Sequence, residues 1–298
     1  MSDPTTIRTA HHGDVQLAYE VFGPGSGRPL LLIMGLGMQM LVWHDDFCND
    51  LVRQGFQVVR MDNRDAGLSS HLEHLGAPAL FDMIVRPRRA ARYSLGDMAA
   101  DVFAVMDDMG WGTVNVVGGS LGGMIAQTMA IENPRRVRSL VSIMSSPSAR
   151  IGRATLRTNM KMAGLMQQPL HSAEEAGRQM IEVYRLIGTP EADYPLDIPW
   201  LTETGARSYE RAYDPDGKLR QQAAMLAAPD RTAALRNVSV PAVVLHGDVD
   251  PMIRIRGGIA TAAAIPGARL VTLPGVGHGA FPRAVWPTMI GNIAAIAR

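Results

Sequence analysis

The stretch "VVGGSLGGMIAQTMA", 116–130, sets Ser120 among Gly118, Gly119, Gly122 and Gly123, directly after an apolar run. A serine hydroxyl is a weak nucleophile until a base activates it. On a sharp strand-to-helix turn it stands exposed, and neighbours without side chains let the two elements close up beneath it. The helix that follows then presents its N-terminal N–H groups where negative charge would develop. The spacing fits G-x-S-x-G. It fits neither the dinucleotide fingerprint G-x-G-x-x-G nor a phosphate loop, because no Lys-Ser/Thr pair follows.

Such a serine needs a base and an acid that orients the base. In a strand-turn-helix setting the chain order runs serine, acid, histidine. "VVLHGDVDPMI" offers two acids at the end of an apolar run, Asp248 and Asp250. Asp250 is preferred, because it precedes Pro251 in the turn, whereas Asp248 is close enough to the strand end to serve the turn itself. "LPGVGHGAF" offers His278, flanked by Gly277 and Gly279. Of the other histidines, His246 is expected to pack or bond locally, His11 and His12 to flank a hairpin turn, and His44, His71, His74 and His171 to lie on the surface or in loops. No H-x-x-x-H or H-E-x-x-H spacing occurs, so no metal site is expected, and a serine-histidine-acid mechanism requires no cofactor. Two backbone donors should stabilise an oxyanion: the N–H of Leu121, and one from "IMGLGMQM", for which Leu36 is the candidate.

The elements that must hold these residues are legible as periodicity. "IRTAHH" and "VQLAYEVF" flank Gly13-Asp14 as a hairpin. "PLLLIM", "FQVVRMD", "VNVVG" and "SLVSIM" read as buried strands, with helices between them, one of them capped by Ser94 and stopped by Gly110. The alternation resumes with "PAVVLHG" and "ARLVTL", and a last helix starts near Arg283. This is the pattern of an α/β chain with a mostly parallel, doubly wound sheet. Over about 147–236 strands disappear. Ser172 and Glu175 read as a capping box, helices are expected near 202–212 and 218–227, and "DPDG" at 214–217 reads as a turn. The expected organisation is a core of 1–146 and 237–298 with a helical lid, 147–236, inserted before the late strands.

The 298 residues, 47% of them hydrophobic, are enough for one large core. A net charge of +1 gives no footprint for nucleic acid, and the single cysteine, Cys48, excludes a disulfide framework. The polar N-terminus lacks a signal pattern, and the longest uncharged stretch is too short to span a bilayer, so a cytoplasmic protein with no stable membrane insertion is expected. "VRPRRAARY", with Arg86, Arg88, Arg89 and Arg92, reads as a solvated face, the alternative being attraction of an anionic ligand or membrane surface.

With "GGSLGG", "HGDVDP" and "GVGHG" in this order, the chain resembles the α/β-hydrolase superfamily over essentially its whole length. Within it the sequence is similar to the serine carboxylesterase branch of aclacinomycin methylesterase and LipG-type esterases, and shares a general pattern with macrolide-lactone esterases. "MDNRDAGLSS", through Asp62, Arg64, Asp65, Gly67 and Ser69, carries this likeness, as do "RAYDPDGKLRQQAAMLAAPDR" and "AIPGARLVTLPGVGHG". One departure is Met34-Gly35, where many relatives have His-Gly.

The resemblance implies ester or lactone hydrolysis through an acyl-enzyme on Ser120, with His278 and Asp250. Asp62 and Arg64 are expected to pin a loop. Met160, Met166, Met180, Tyr184 and Trp200 in the insertion could line a pocket for a bulky apolar ester, or the methionines could simply fasten the insertion to the core. A small-ester or lipid carboxylesterase, a thioesterase, a cofactor-free peroxidase-like enzyme, a C–C hydrolase and a triad-retaining ligand receptor are the alternatives. The expected partner is a small-molecule substrate, and monomer or dimer is left open.

Overall fold

In the computed structural model the described residues are 6–166, 168–279 and 281–297. Apolar runs form an eight-stranded sheet in the order β1-β2-β4-β3-β5-β6-β7-β8. The strands are β1 (Arg8–His12), β2 (Val15–Phe22), β3 (Arg28–Ile33), β4 (Phe56–Met61), β5 (Val114–Gly119), β6 (Val137–Ile143), β7 (Ala242–Gly247) and β8 (Arg269–Leu273). β1 and β2 form the expected hairpin, β2 pairs antiparallel with β4, and every later pairing is parallel. β4, β5 and β7 are buried along their full length, as strands covered on both faces must be.

The helices are α1 (Asp45–Arg53), α2 (Leu80–Val85), α3 (Pro87–Ala90), α4 (Leu95–Asp108), α5 (Leu121–Glu132), α6 (Leu156–Met166), α7 (Ala173–Ile187), α8 (Ile198–Arg211), α9 (Pro215–Ala227), α10 (Thr232–Leu235), α11 (Arg256–Ala264) and α12 (Trp286–Ile296). One face of the sheet is covered by α4 and α5 through Val102, Met106, Ile125 and Met129. The other is covered by α1 and α12 through Phe47, Leu51, Met289 and Ile293. Between β3 and β5 the winding direction reverses, which opens a crevice beyond the carboxyl ends of these two strands. This is the α/β-hydrolase architecture, with a helical insertion between β6 and β7. No helix among the described residues is long and apolar enough to cross a membrane.

Local signals explain most boundaries and two differences. Ser94 and Asp97 form a complete capping box at α4. At α7 the box is half closed: Ser172 accepts from the Glu175 N–H, but the Glu175 carboxylate accepts from His171 N rather than from Ser172 N. "DPDG" is not a free turn. Asp214 is the N-cap of α9, accepting from Gly217 N at 2.7 Å, and Pro215 occupies the first helical position, where its missing N–H costs nothing. Cap and turn chemistry use the same residues, so the four-residue pattern alone does not separate them. Helices α2, α3, α6 and α10 were not anticipated.

Ion pairs sew the insertion to the loop after β4. Arg220 of α9 donates to both oxygens of Asp65 at 2.9 and 2.8 Å and to Asp214 at 3.0 Å. Arg211 of α8 pairs with Asp62, whose carboxylate also accepts from Met40 N and Leu68 N. Arg64 grips Asp101 of α4 through two nitrogens. Asp62 and Arg64 therefore pin the loop, as expected, and their neighbour Asp65 does the same.

Candidate active site

Ser120 stands at the end of β5 and caps α5. Its φ of 55° and ψ of −117° are a strained backbone for a residue with a side chain. Surrounding bonds hold it there: Ser120 N donates to Ile143 O at 2.9 Å, and Ser145 Oγ donates to Ser120 O at 2.7 Å. The flanking glycines are required by contact. A Cβ on Gly122 would lie 2.2 Å from Ile33 O, and one on Gly118 2.1 Å from Gly122 O, so strand and helix could not approach with any other residue.

His278 Nε2 lies 3.1 Å from Ser120 Oγ, and its Nδ1 lies 2.7 Å from Asp250 Oδ2. A carboxylate only accepts, so Nδ1 carries the proton and Nε2 is left to accept from the serine hydroxyl. The second Asp250 oxygen accepts from Met252 N and Ile253 N at 2.8 and 2.9 Å, which fixes the carboxylate in its turn. Asp250 is buried, and Asp248 is exposed with its carboxylate accepting from Gly275 N at 2.8 Å. Of the two acids, the structure thus brings Asp250 to His278 and leaves Asp248 in the turn. His246 donates from Nε2 to Ile253 O at 2.6 Å, and burial lowers its pKa. It bonds locally, as expected.

The histidine loop rests on the insertion. His278 N donates to Ile187 O at 2.7 Å, and Gly277 N donates to Thr189 Oγ1 at 3.2 Å. A Cβ on Gly277 would sit 2.0 Å from Gly188 O. Tyr184 is buried against Gly279, and burial raises its pKa. Nothing local in the sequence signals Ile187 and Thr189. The flanking Gly277 was the one trace of the contact.

Gly35 abuts the serine: a Cβ there would lie 3.0 Å from Ser120 Cβ. Leu36 is therefore one residue from the nucleophile's neighbour, and Leu121 is the first residue of α5, where an N–H has no intrahelical acceptor. Gly37 N is held by Gln221 Oε1 of α9 at 2.8 Å, so the insertion braces this loop as well.

The other residues singled out in the insertion scatter. Met166 Sδ lies 2.8 Å from Lys218 Nζ, and the Lys218 side chain packs over Gly37, beside the Gly35 loop. Met180 is half-buried, and Met160, on α6, is 66% exposed. Trp200 lines a separate cavity of about 310 Å³ with Trp43, Phe47, Phe281 and Trp286, whose walls do not include Ser120, Asp250 or His278. Among the described residues, Asp65, His71 and Asp214 are close enough to share a cation. Arg220 already stands there, so the group is an ion-pair network in which His71, expected to be a surface or loop residue, takes part.

Residues 28–284 match the family described as alpha/beta hydrolase fold. The chain is 28% identical to a rhodomycin D methylesterase of Streptomyces peucetius, over 99% of this chain and 98% of that one. Among solved structures it is similar to the enol-lactonase of Burkholderia xenovorans (TM-score 0.73, 19% identity, 97% of this chain and 99% of that one). It is also similar to the esterase RhEst1 of a Rhodococcus species (TM-score 0.72, 21% identity, 97% and 99%). At these identities the solved structures speak for the fold alone. The chain belongs to the alpha/beta hydrolase fold family.

Proposed function

We propose that the protein is a serine hydrolase that cleaves a carboxylic ester, a methyl ester of a bulky apolar acid being the preferred class, through an acyl-enzyme on Ser120. The observation that carries this reading is the hydrogen-bonded line from Asp250 Oδ2 through His278 to Ser120 Oγ, ending on a serine whose backbone is held at positive φ. The whole-length likeness to a rhodomycin D methylesterase supports the substrate class.

In this mechanism His278 Nε2 removes the hydroxyl proton as Ser120 Oγ attacks the ester carbonyl carbon. The carbonyl π electrons move to oxygen, and the N–H groups of Leu36 and Leu121 stabilise that oxyanion. Loss of one such donor costs about 2.7–4 kcal/mol in enzymes of this kind. Asp250 holds the imidazole and stabilises its cation. The tetrahedral adduct collapses, the C–O bond to the alcohol breaks, and His278 hands its proton to the leaving oxygen. Water then gives a proton to His278 and its oxygen to the acyl carbon. The second collapse frees the acid and returns the proton to Ser120. No cofactor is needed. The insertion acts as a lid that completes the site, because it supplies the contacts at Ile187, Thr189 and Gln221.

The test is a panel of short acyl esters, long acyl esters, polyketide methyl esters and macrolactones, with products identified by mass spectrometry. The reading expects release of the free acid and alcohol, fastest for large apolar methyl esters. A steep preference for acetate overturns the substrate class, and absence of turnover across the panel overturns the reaction.

A further inference from the structure

The outer surface of α2 is inverted. In an ordinary surface helix the apolar stripe faces the core. Here Leu80, Phe81, Ile84 and Val85 are 63%, 68%, 80% and 54% exposed, while Met83 is buried. Residues four apart share a helix face, so 80 with 84 and 81 with 85 form one continuous apolar strip directed at solvent. Met83 and, in the next helix, Ala90 dock against Ala223 of α9. The strip is thus mounted on the insertion helix that also braces the Gly37 loop.

Immediately after the strip come Arg86, Arg88, Arg89 and Arg92, all exposed. Among the described residues none of them forms an ion pair, and the only acid within 80–92 is Asp82. Exposed arginines without a carboxylate among the described residues also occur singly elsewhere, as at Arg135, Arg138 and Arg157; what sets this run apart is its clustering directly beside the apolar strip. An apolar strip beside unpaired arginines is the pattern of a segment that lies in a lipid interface: side chains enter the acyl boundary while guanidinium groups meet anionic head groups.

We propose that α2 and α3 form a peripheral docking surface for an anionic lipid membrane. Charge complementarity favours an anionic surface as the occupant, because a second copy would bring four more arginines and, from this segment, only Asp82 to meet them. Docking here would place α9, and through it the loop beside Ser120, next to a reservoir of apolar esters. The inference stands without the hydrolase reading, because it concerns binding alone.

The full-length protein is to be sedimented with vesicles of phosphatidylcholine alone and with vesicles that also contain phosphatidylglycerol. The wild type is expected to bind the anionic vesicles at least about tenfold more strongly, with binding lost at high salt. A Phe81→Ser/Ile84→Ser variant should lose binding, and an Arg88→Glu/Arg89→Glu variant should lose the preference for anionic lipid. All four positions are exposed, so unchanged melting curves are expected. Absence of wild-type binding, or equal binding to both vesicle types, overturns the proposal. So does concentration-dependent dimerisation that is abolished by Phe81→Ser/Ile84→Ser, which would assign the strip to a second copy.

Discussion

The backbone N–H of His278 donates to the carbonyl of Ile187, the last residue of α7, at 2.7 Å. The imidazole that faces Ser120 is thereby positioned by the helical insertion as well as by its own loop. A contact between residues this far apart in the chain links the insertion to the chemistry proposed for the core.

Thr189→Val removes the hydroxyl that accepts from Gly277 N and leaves that buried N–H without a partner. A lost hydrogen bond of this kind costs about 1–3 kcal/mol. The expected result is a fall in kcat of roughly five- to a hundredfold with KM little changed, measured by steady-state ester hydrolysis on protein whose circular dichroism matches wild type.

Asp250→Asn keeps the shape of the acid but lets the amide present a donor to His278, favouring the wrong tautomer. A loss of about 10⁴ in kcat is expected from comparable triads. Asp248→Asn alters only the cap on Gly275 and should stay within severalfold of wild type. Equal losses in the two variants would contradict the assignment of Asp250.

Arg220→Met strands Asp65, which is buried and would keep only the Tyr93 hydroxyl and the Leu72 N–H. Breaking a buried pair from one side costs about 3–5 kcal/mol. Chemical denaturation should show a loss of this size.

His71 Nδ1 faces Asp214 at 2.7 Å and Nε2 faces the Gly67 carbonyl at 2.9 Å, so both ring nitrogens meet acceptors. Burial alone would lower its pKa, but the carbonyl and the carboxylate outweigh it and raise the value. A raised histidine pKa adds stability below its unfolded value and loses it as pH climbs through the folded one. Asp214 is shifted the other way: burial opposes ionisation, but His71, Gly217 N and Arg220 overcome it and lower the pKa. Its contribution is lost in acid. The gap in Tm between wild type and His71→Gln should therefore be wide at pH 6 and narrow at pH 9. A gap independent of pH would show that His71 is uncharged in the fold.

Much of this was legible in the sequence because the signals are local. Gly122 and Gly118 announce a close strand-helix approach, Pro251 marks Asp250 as the residue in the turn, and period-two and continuous apolar runs mark the strands. The unread parts are those set by tertiary pairing. Arg220 finds Asp65 and Arg211 finds Asp62 across separations of 155 and 149 residues, and no spacing rule encodes that. "DPDG" at 214–217 reads as a turn because an N-cap followed by proline uses the same residues, and only the helix beyond it separates the two. Trp200, expected to line a pocket for its place in the insertion, stands in the cavity with Trp43 and Trp286, a neighbourhood that only the tertiary fold creates.

The most direct measurement is hydrolysis of a preferred methyl ester by Ser120→Ala, compared with wild type at equal concentration and with matched melting curves. A fall in kcat on the order of 10⁶ is expected when the nucleophile of such a triad is removed. Turnover by the variant close to that of the wild type would contradict nucleophilic attack by Ser120.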